Sequence, residues 1–292
     1  SRTKTISANN LAAINTAGDL SVSLTAVHGT KIDKNTVNLS FLRDVSYNIA
    51  NNEAFVAVLD TNGTNVLATR KLSSTEKDSH STVTVSGETW GATSSVDVYY
   101  YNAWSAEFST TSNAANYLLF DSTRNVSKIG SGDEGIDSIG SSSIYKAVRV
   151  GMTCGNNSFV WAPYTSLAAD KVAYISTAGE LKTAQKAAEA PKYEAYVDST
   201  DHPLYGLYAK AITTEPEAVV REGSSKTEAE KHKGLLSTTL KSGVTATVQF
   251  KLWFEGLDPN CINTSTNITA VGEKVVKDMA LSFYAVDSTT LA

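Results

Sequence analysis

The sequence predicts an all-β protein, a jelly-roll-like β-sandwich with inserted loops and a few short helices. Three observations point there: apolar and polar residues alternate with period two over many short stretches, turn-forming residues punctuate those stretches, and helix-forming runs are scarce. Successive side chains of a strand point to opposite faces, so the alternation marks strands with one face on a core and the other toward water. Roughly ten to twelve such strands with few helices make a sandwich the natural architecture.

Each element has its own warrant. "DLSVSLTAV" (19–27) places Leu20, Val22, Leu24 and Ala26 on one face and Ser21, Ser23 and Thr25 on the other. "AFVAVLD" (54–60) and "VLATRKL" (66–72) flank a turn around Asn62-Gly63, with Leu59 and Val66 on either side, which reads as a hairpin. "STVTVSG" (81–87), "SVDVYYY" (95–101), "SFVWAPY" (158–164), "KVAYIST" (171–177) and "LYGLYAKAI" (204–212) are further strands. "YKAVRVGMTC" (145–154) alternates through Val148, Val150, Met152 and Cys154, placing the cysteine on the apolar side. The clearest case is "GVTATVQFKLWFEG" (243–256): Val244, Ala246, Val248, Phe250, Leu252 and Phe254 face one way, Thr245, Thr247, Gln249, Lys251 and Trp253 the other. "DMALSFYAV" (278–286) carries Met279, Leu281 and Phe283 on one face. Helix is expected over 179–191, stopping at Pro191, and over 224–237, where Gly234 interrupts; both are charged surface connections. Residues 128–143 form a Gly/Ser loop.

The 292-residue chain suits one large domain. At this size about 75% of the unfolded surface is buried, so a core requires neither metal nor disulfide. Residues 1–12, small, polar and slightly basic, read as an N-terminal extension, and 13–292 as a single sandwich domain with insertions. Charged residues are 19% of the chain, against roughly 25% in soluble domains; Ser, Thr and Asn carry the polarity, as in extracellular β-rich proteins. A net charge of −5 gives no footprint for nucleic acid, and no apolar run reaches the roughly 18 residues of a membrane span. Ser1 reads as the residue left by signal-peptide removal, or simply as the point where the given chain starts.

Cys154 and Cys261 permit one disulfide in an oxidising compartment; two buried thiols is the other reading. Asn38, Asn62, Asn125, Asn156, Asn263 and Asn267 stand in N-x-[ST] frames, candidate sites of N-glycosylation. His28, His80, His202 and His232 make no H-E-x-x-H or close pair, no cysteine cluster supplies zinc ligands, and neither a nucleophile elbow nor a phosphate loop is present. The four histidines read as scattered surface residues. Asp133, Glu134 and Asp137 lack the calcium-loop pattern and read as solvated loop charge. Tyr99, Tyr100, Tyr101 and Trp104 read as core and cross-strand packing. No catalytic residue, cofactor or metal is expected.

Two stretches carry a resemblance. "VTATVQFKLWFEGLDPNCIN" (244–263) resembles a signature of secreted Gram-positive proteins processed by the SipW-type signal peptidase, an alternating strand running into a W-x-E-G-x-D-P-x-C corner. "NNLAAINTAGDLSVSL" (9–24) is similar to the mature N-terminus of the same group, and "YKAVRVGMTCGNNSFVWAP" (145–163) to its Arg-containing strand and W-x-P strand end. The group is the TasA/camelysin-like family. The resemblance implies a jelly-roll domain that polymerises into extracellular or biofilm-matrix fibres, the leading segment of one subunit completing the sheet of the next. Its partner is then another copy, with other matrix or cell-surface components as further candidates. On that reading Thr3, Lys4, Thr5, Ile6, Ser7, Ala8 and Leu11 form the donor strand, with Ile6 the apolar plug and Leu11 next. Added strands satisfy the unpaired backbone groups of a sheet edge, and about twelve extended residues span roughly 40 Å. Trp253, Glu255, Gly256, Asp258 and Pro259 form a structural corner: Gly256 permits a tight bend, Asp258-Pro259 starts a turn, and Cys261 is placed to reach Cys154. The competing expectations are a monomeric cell-surface adhesin or carbohydrate-binding sandwich, and an enzyme acting on glycans or peptides.

Overall fold

In the computed structural model the described residues are 6–7, 11–16, 19–34, 36–49, 51–59, 66–87, 91–121, 147–155, 157–161, 173–175, 208–210, 239–256 and 280–287. They form an all-β sandwich. One five-stranded sheet contains β3 (Leu20–His28), β12 (Asn102–Thr110), β14 (Val148–Cys154), β15 (Asn157–Trp161) and β18 (Ala246–Phe254). Its order is β15-β14-β18-β12-β3, antiparallel throughout. The other contains β2 (Leu11–Thr16), β4 (Thr30–Asp33), β5 (Thr36–Leu39), β13 (Asn116–Asp121) and β19 (Ala280–Asp287), in the order β13-β19-β2-β5-β4. Its β2–β19 pair is parallel and the rest antiparallel.

The main core draws on both sheets. Trp104 stacks on Phe250 at 5.2 Å, Phe108 meets Phe283 at 4.7 Å, and Phe120 lies edge-on to Trp161 at 5.0 Å between ring centroids. These offset and edge-to-face contacts add to the roughly 1.5–3 kcal/mol that burying one large apolar side chain contributes. Alternation in β18 holds as expected on this face: Ala246, Val248, Phe250 and Leu252 are buried while Thr247 and Gln249 are exposed.

The opposite face of β18 departs from the expected solvent exposure. Its Trp253 is fully buried, in a second core with Val45, Tyr47, Ile49, Ala54, Leu72, Tyr101, Ala103 and Val160. The cover includes a three-stranded sheet, β7 (Ser46–Asn48), β8 (Glu53–Leu59) and β9 (Val66–Lys71). The β8–β9 hairpin pairs Leu59 with Val66, the two residues the turn chemistry singled out. After β9 comes α1 (Ser74–Asp78), held by a capping box in which Ser73 and Glu76 satisfy each other's backbone N–H. A further sheet joins β1 (Ile6–Ser7), β6 (Phe41–Leu42), β11 (Gly91–Tyr99) and β10 (Ser81–Gly87) in the order β1-β6-β11-β10, and β16 (Ala173–Ile175) pairs β17 (Tyr208–Lys210).

The tyrosine run is not one strand. β11 ends at Tyr99 and β12 begins at Asn102, so the chain bends at Tyr100 and passes from one sheet to another. The helices expected over 179–191 and 224–237 and the loop over 128–143 lie outside the described residues. No helix among the described residues is long and apolar enough to cross a membrane.

Candidate functional site

β2 lies in the centre of its sheet. Leu11, Ala12 and Ala13 pair with Asn38, Val37 and Thr36 of β5, while Ala13 to Thr16 pair with Ala280 to Phe283 of β19. Before it, Ile6 and Ser7 pair with Leu42 and Phe41 of β6. The expectation set residues 1–12 outside their own domain; in the structure Ile6, Ser7 and Leu11 pair within the same chain, and the boundary at 12 falls inside β2. The physical reason is backbone satisfaction. The backbone of Leu11 to Ala13 is met by β5 and that of Ala13 to Thr16 by β19, so a strand of modest apolar content is held along its whole length, on both sides at Ala13. Thr3, Lys4, Thr5 and Ala8 lie outside the described residues. β2 continues into β3, a strand of the opposite sheet, through only three residues, Ala17-Gly18-Asp19 in the sequence.

The Trp253–Gly256 corner is buried and cross-linked by hydrogen bonds. The Ser46 hydroxyl donates to Glu255 Oε1, and Trp253 Nε1 donates to Glu255 Oε2 at 3.3 Å. Glu255 N–H donates to the Ala147 carbonyl at 2.8 Å, and Gly256 N–H to that of Val45 at 3.1 Å. At Gly256 the approach is close: a Cβ there would stand 3.2 Å from Asp44 Oδ2, so that Asp44 would have to give by a few tenths of an ångström. Arg149, opposite Trp253, is likewise fully buried, its Nη1 donating to the Val148 carbonyl at 3.1 Å. Asp258 and Pro259 lie outside the described residues. Cys154 is a buried free thiol with its pKa pushed up by burial; the expectation of a disulfide had it bonded to Cys261, which lies outside the described residues. Asn38 is half-buried in β5, and Asn62, Asn125, Asn156, Asn263 and Asn267 lie outside the described residues.

A polar cluster missed by the sequence reading sits beside the second core. His28 stacks on Tyr101 at 4.2 Å and meets Tyr99 edge-on at 5.0 Å, so it is not the free surface histidine expected. Burial holds its pKa below the ordinary value, and Lys77, His80 and Lys251 push the same way against Asp78. Tyr101 donates its hydroxyl to Asp78 Oδ1 at 2.7 Å, and the buried Lys77 pairs with the same oxygen at 3.0 Å. Against the burial that opposes it, these two partners keep the Asp78 carboxyl below its usual range. Tyr47 donates to Asn52 Oδ1, which Lys77 also reaches at 3.4 Å. Lys251 Nζ lies 5.3 Å from the centre of the Tyr47 ring and 5.9 Å from that of Tyr101. The signal that could have found this cluster is Lys251 itself, a lone charge in a strand whose neighbours on the same face are Gln249 and Trp253. No group of three or more His, Cys, Asp or Glu side chains able to hold a metal ion occurs among the described residues.

Fold and geometry together define an all-β sandwich whose second strand, β2, is seated in the middle of a sheet. Compared with protein families, curated proteins and solved structures, the chain matches none.

Proposed function

We propose that this chain is the structural subunit of an extracellular filament, growing head-to-tail as β2 of one copy enters the sheet of the next. The seat of β2 carries the reading. It is a slot bounded by β5 along Leu11 to Ala13 and by β19 along Ala13 to Thr16, and its occupant leads into the opposite sheet through residues 17–19. In a single copy the chain fills its own slot. In a filament the same hydrogen bonds form with a neighbour's β2, so the exchange is nearly neutral in contacts once the short link extends, as in domain swapping. Donor strand and slot are different patches, so the contact does not close on itself and an open polymer follows. The pairing is carried by the backbone, which accounts for a polar leading segment.

The test is deletion of residues 1–16, with negative-stain electron microscopy. The truncated chain is expected to yield no filaments, and a synthetic peptide of residues 1–16, added in excess to the full chain, is expected to stop elongation. Filaments that persist in both cases overturn the reading. The alternative of a monomeric carbohydrate-binding module draws on one observation, a cavity beside Lys251.

A further inference from the structure

The turn between β7 and β8 covers the outer face of β14 and β18 at Gly151, where Ile49 packs so closely that a Cβ on the glycine would stand 2.5 Å from Ile49 Cγ2. Beside this contact is a cavity of about 270 Å³, lined among the described residues by Ile49, Asn52, Gly151, Thr153, Gln249 and Lys251. Strand register builds it. Thr153 stands opposite Gln249 and Gly151 opposite Lys251, so three polar side chains share one face, with Ile49 seated over the glycine beside them.

We propose that this cavity binds a carboxylated sugar, a uronate-type residue whose carboxylate pairs with Lys251. Charge balance is the first reason. Lys251 makes no ion pair among the described residues, and the nearby Asp78 is already engaged by Lys77 and Tyr101. Lys77 thus holds the nearby carboxylate, while burial and Lys77 keep the Lys251 pKa below its ordinary value against Asp78, and burial biases His28 toward its neutral form. A ligand carboxylate supplies the missing counter-charge where partial desolvation strengthens a charge-assisted bond. The second reason is the remaining lining. The carboxamide of Gln249 combines donor and acceptor capacity, as ring hydroxyls do, and Asn52, whose Oδ1 is taken by Tyr47 and Lys77, has its Nδ2 to donate, while Ile49 offers an apolar wall to ring C–H groups. Size is the third. At about 270 Å³ the cavity falls just under the roughly 300 Å³ at which clefts for drug-sized molecules begin, which suits one sugar ring. It lies on the sheet opposite β2, so this inference stands apart from the filament reading.

Calorimetric titration of the full chain with D-glucuronate, D-glucose and inorganic phosphate tests it. Saturable binding of glucuronate is expected, at least tenfold tighter than glucose or phosphate. Lys251→Gln and, at an exposed position that leaves packing alone, Gln249→Ala are each expected to weaken it, the former at least tenfold, with thermal unfolding confirming that both variants fold. A methyl glucuronide that binds as well points to the end of a glycan as the source; binding of the free acid alone points to the free sugar. Absence of glucuronate binding, equal binding by phosphate, or unchanged affinity in Lys251→Gln overturns the proposal.

Discussion

Glu255 is a fully buried carboxylate that accepts hydrogen bonds from Ser46, distant in sequence, and from Trp253, two residues before it. Replacing it with alanine leaves both donors buried and unsatisfied, at about 1–3 kcal/mol for each group stranded. Glu255→Ala is therefore expected to lower the urea midpoint by the equivalent of about 3 kcal/mol without changing the slope of the transition. Gly151→Ala places a methyl group 2.5 Å from Ile49 and 3.1 Å from Trp253; overpacking of this kind costs about 1–3 kcal/mol, readable in the same assay. His28 sets a pH dependence. Its folded pKa lies below the unfolded value of 6.5, chiefly through burial. Between those two values the unfolded chain binds the extra proton, so stability is complete above pH 6.5 and declines as pH falls through the folded pKa. Urea midpoints between pH 7.5 and 5, scanned at about half-unit steps, are expected to fall more steeply in the parent than in His28→Gln, on the scale of one titrating group. Residues of this kind were the least legible in the sequence. Nothing local marks Glu255 as buried, or His28 as stacked on Tyr101, because the groups that enclose them come from distant strands. Gly256 was legible as a special position, and Asp44 approaches it closely in the structure.

Elements were more legible than residues. β18 and β14 announced themselves because alternation over nine and seven residues cannot come from a helical period. The β8–β9 hairpin followed from Asn62-Gly63 and kept the expected Leu59–Val66 partners. The second face of β18 was misjudged because period two identifies faces without saying what covers them: here the β7–β8–β9 sheet buries Trp253. α1 was missed because five residues give no amphipathic repeat; its signal was the Ser73 and Glu76 capping pair. Ser73→Ala is expected to cost about 1 kcal/mol, and to accelerate amide exchange in α1 while leaving β14 protected. In the single chain the leading segment pairs on one side only, Ile6 and Ser7 with β6 and Leu11 and Ala12 with β5, and a polar composition gives no sign of which strands will receive it.

At the scale of the whole molecule the sandwich encloses one core between two five-stranded sheets and a second beneath the smaller sheet that covers one of them. That arrangement gives the filament proposal its geometry, since β2 belongs to one large sheet and the strand that follows it to the other. Exchange of β2 would move a central strand between copies while each copy keeps both of its cores. The most direct measurement mixes two variants, one carrying Ala13→Cys and the other Thr36→Cys, positions paired across β2 and β5. After assembly and mild oxidation, the account expects a disulfide joining the two different chains, abundant in filaments and absent when either variant is used alone. Filaments in which residues 13 and 36 cross-link only when both cysteines are placed in one chain, and then only within that chain, would contradict it.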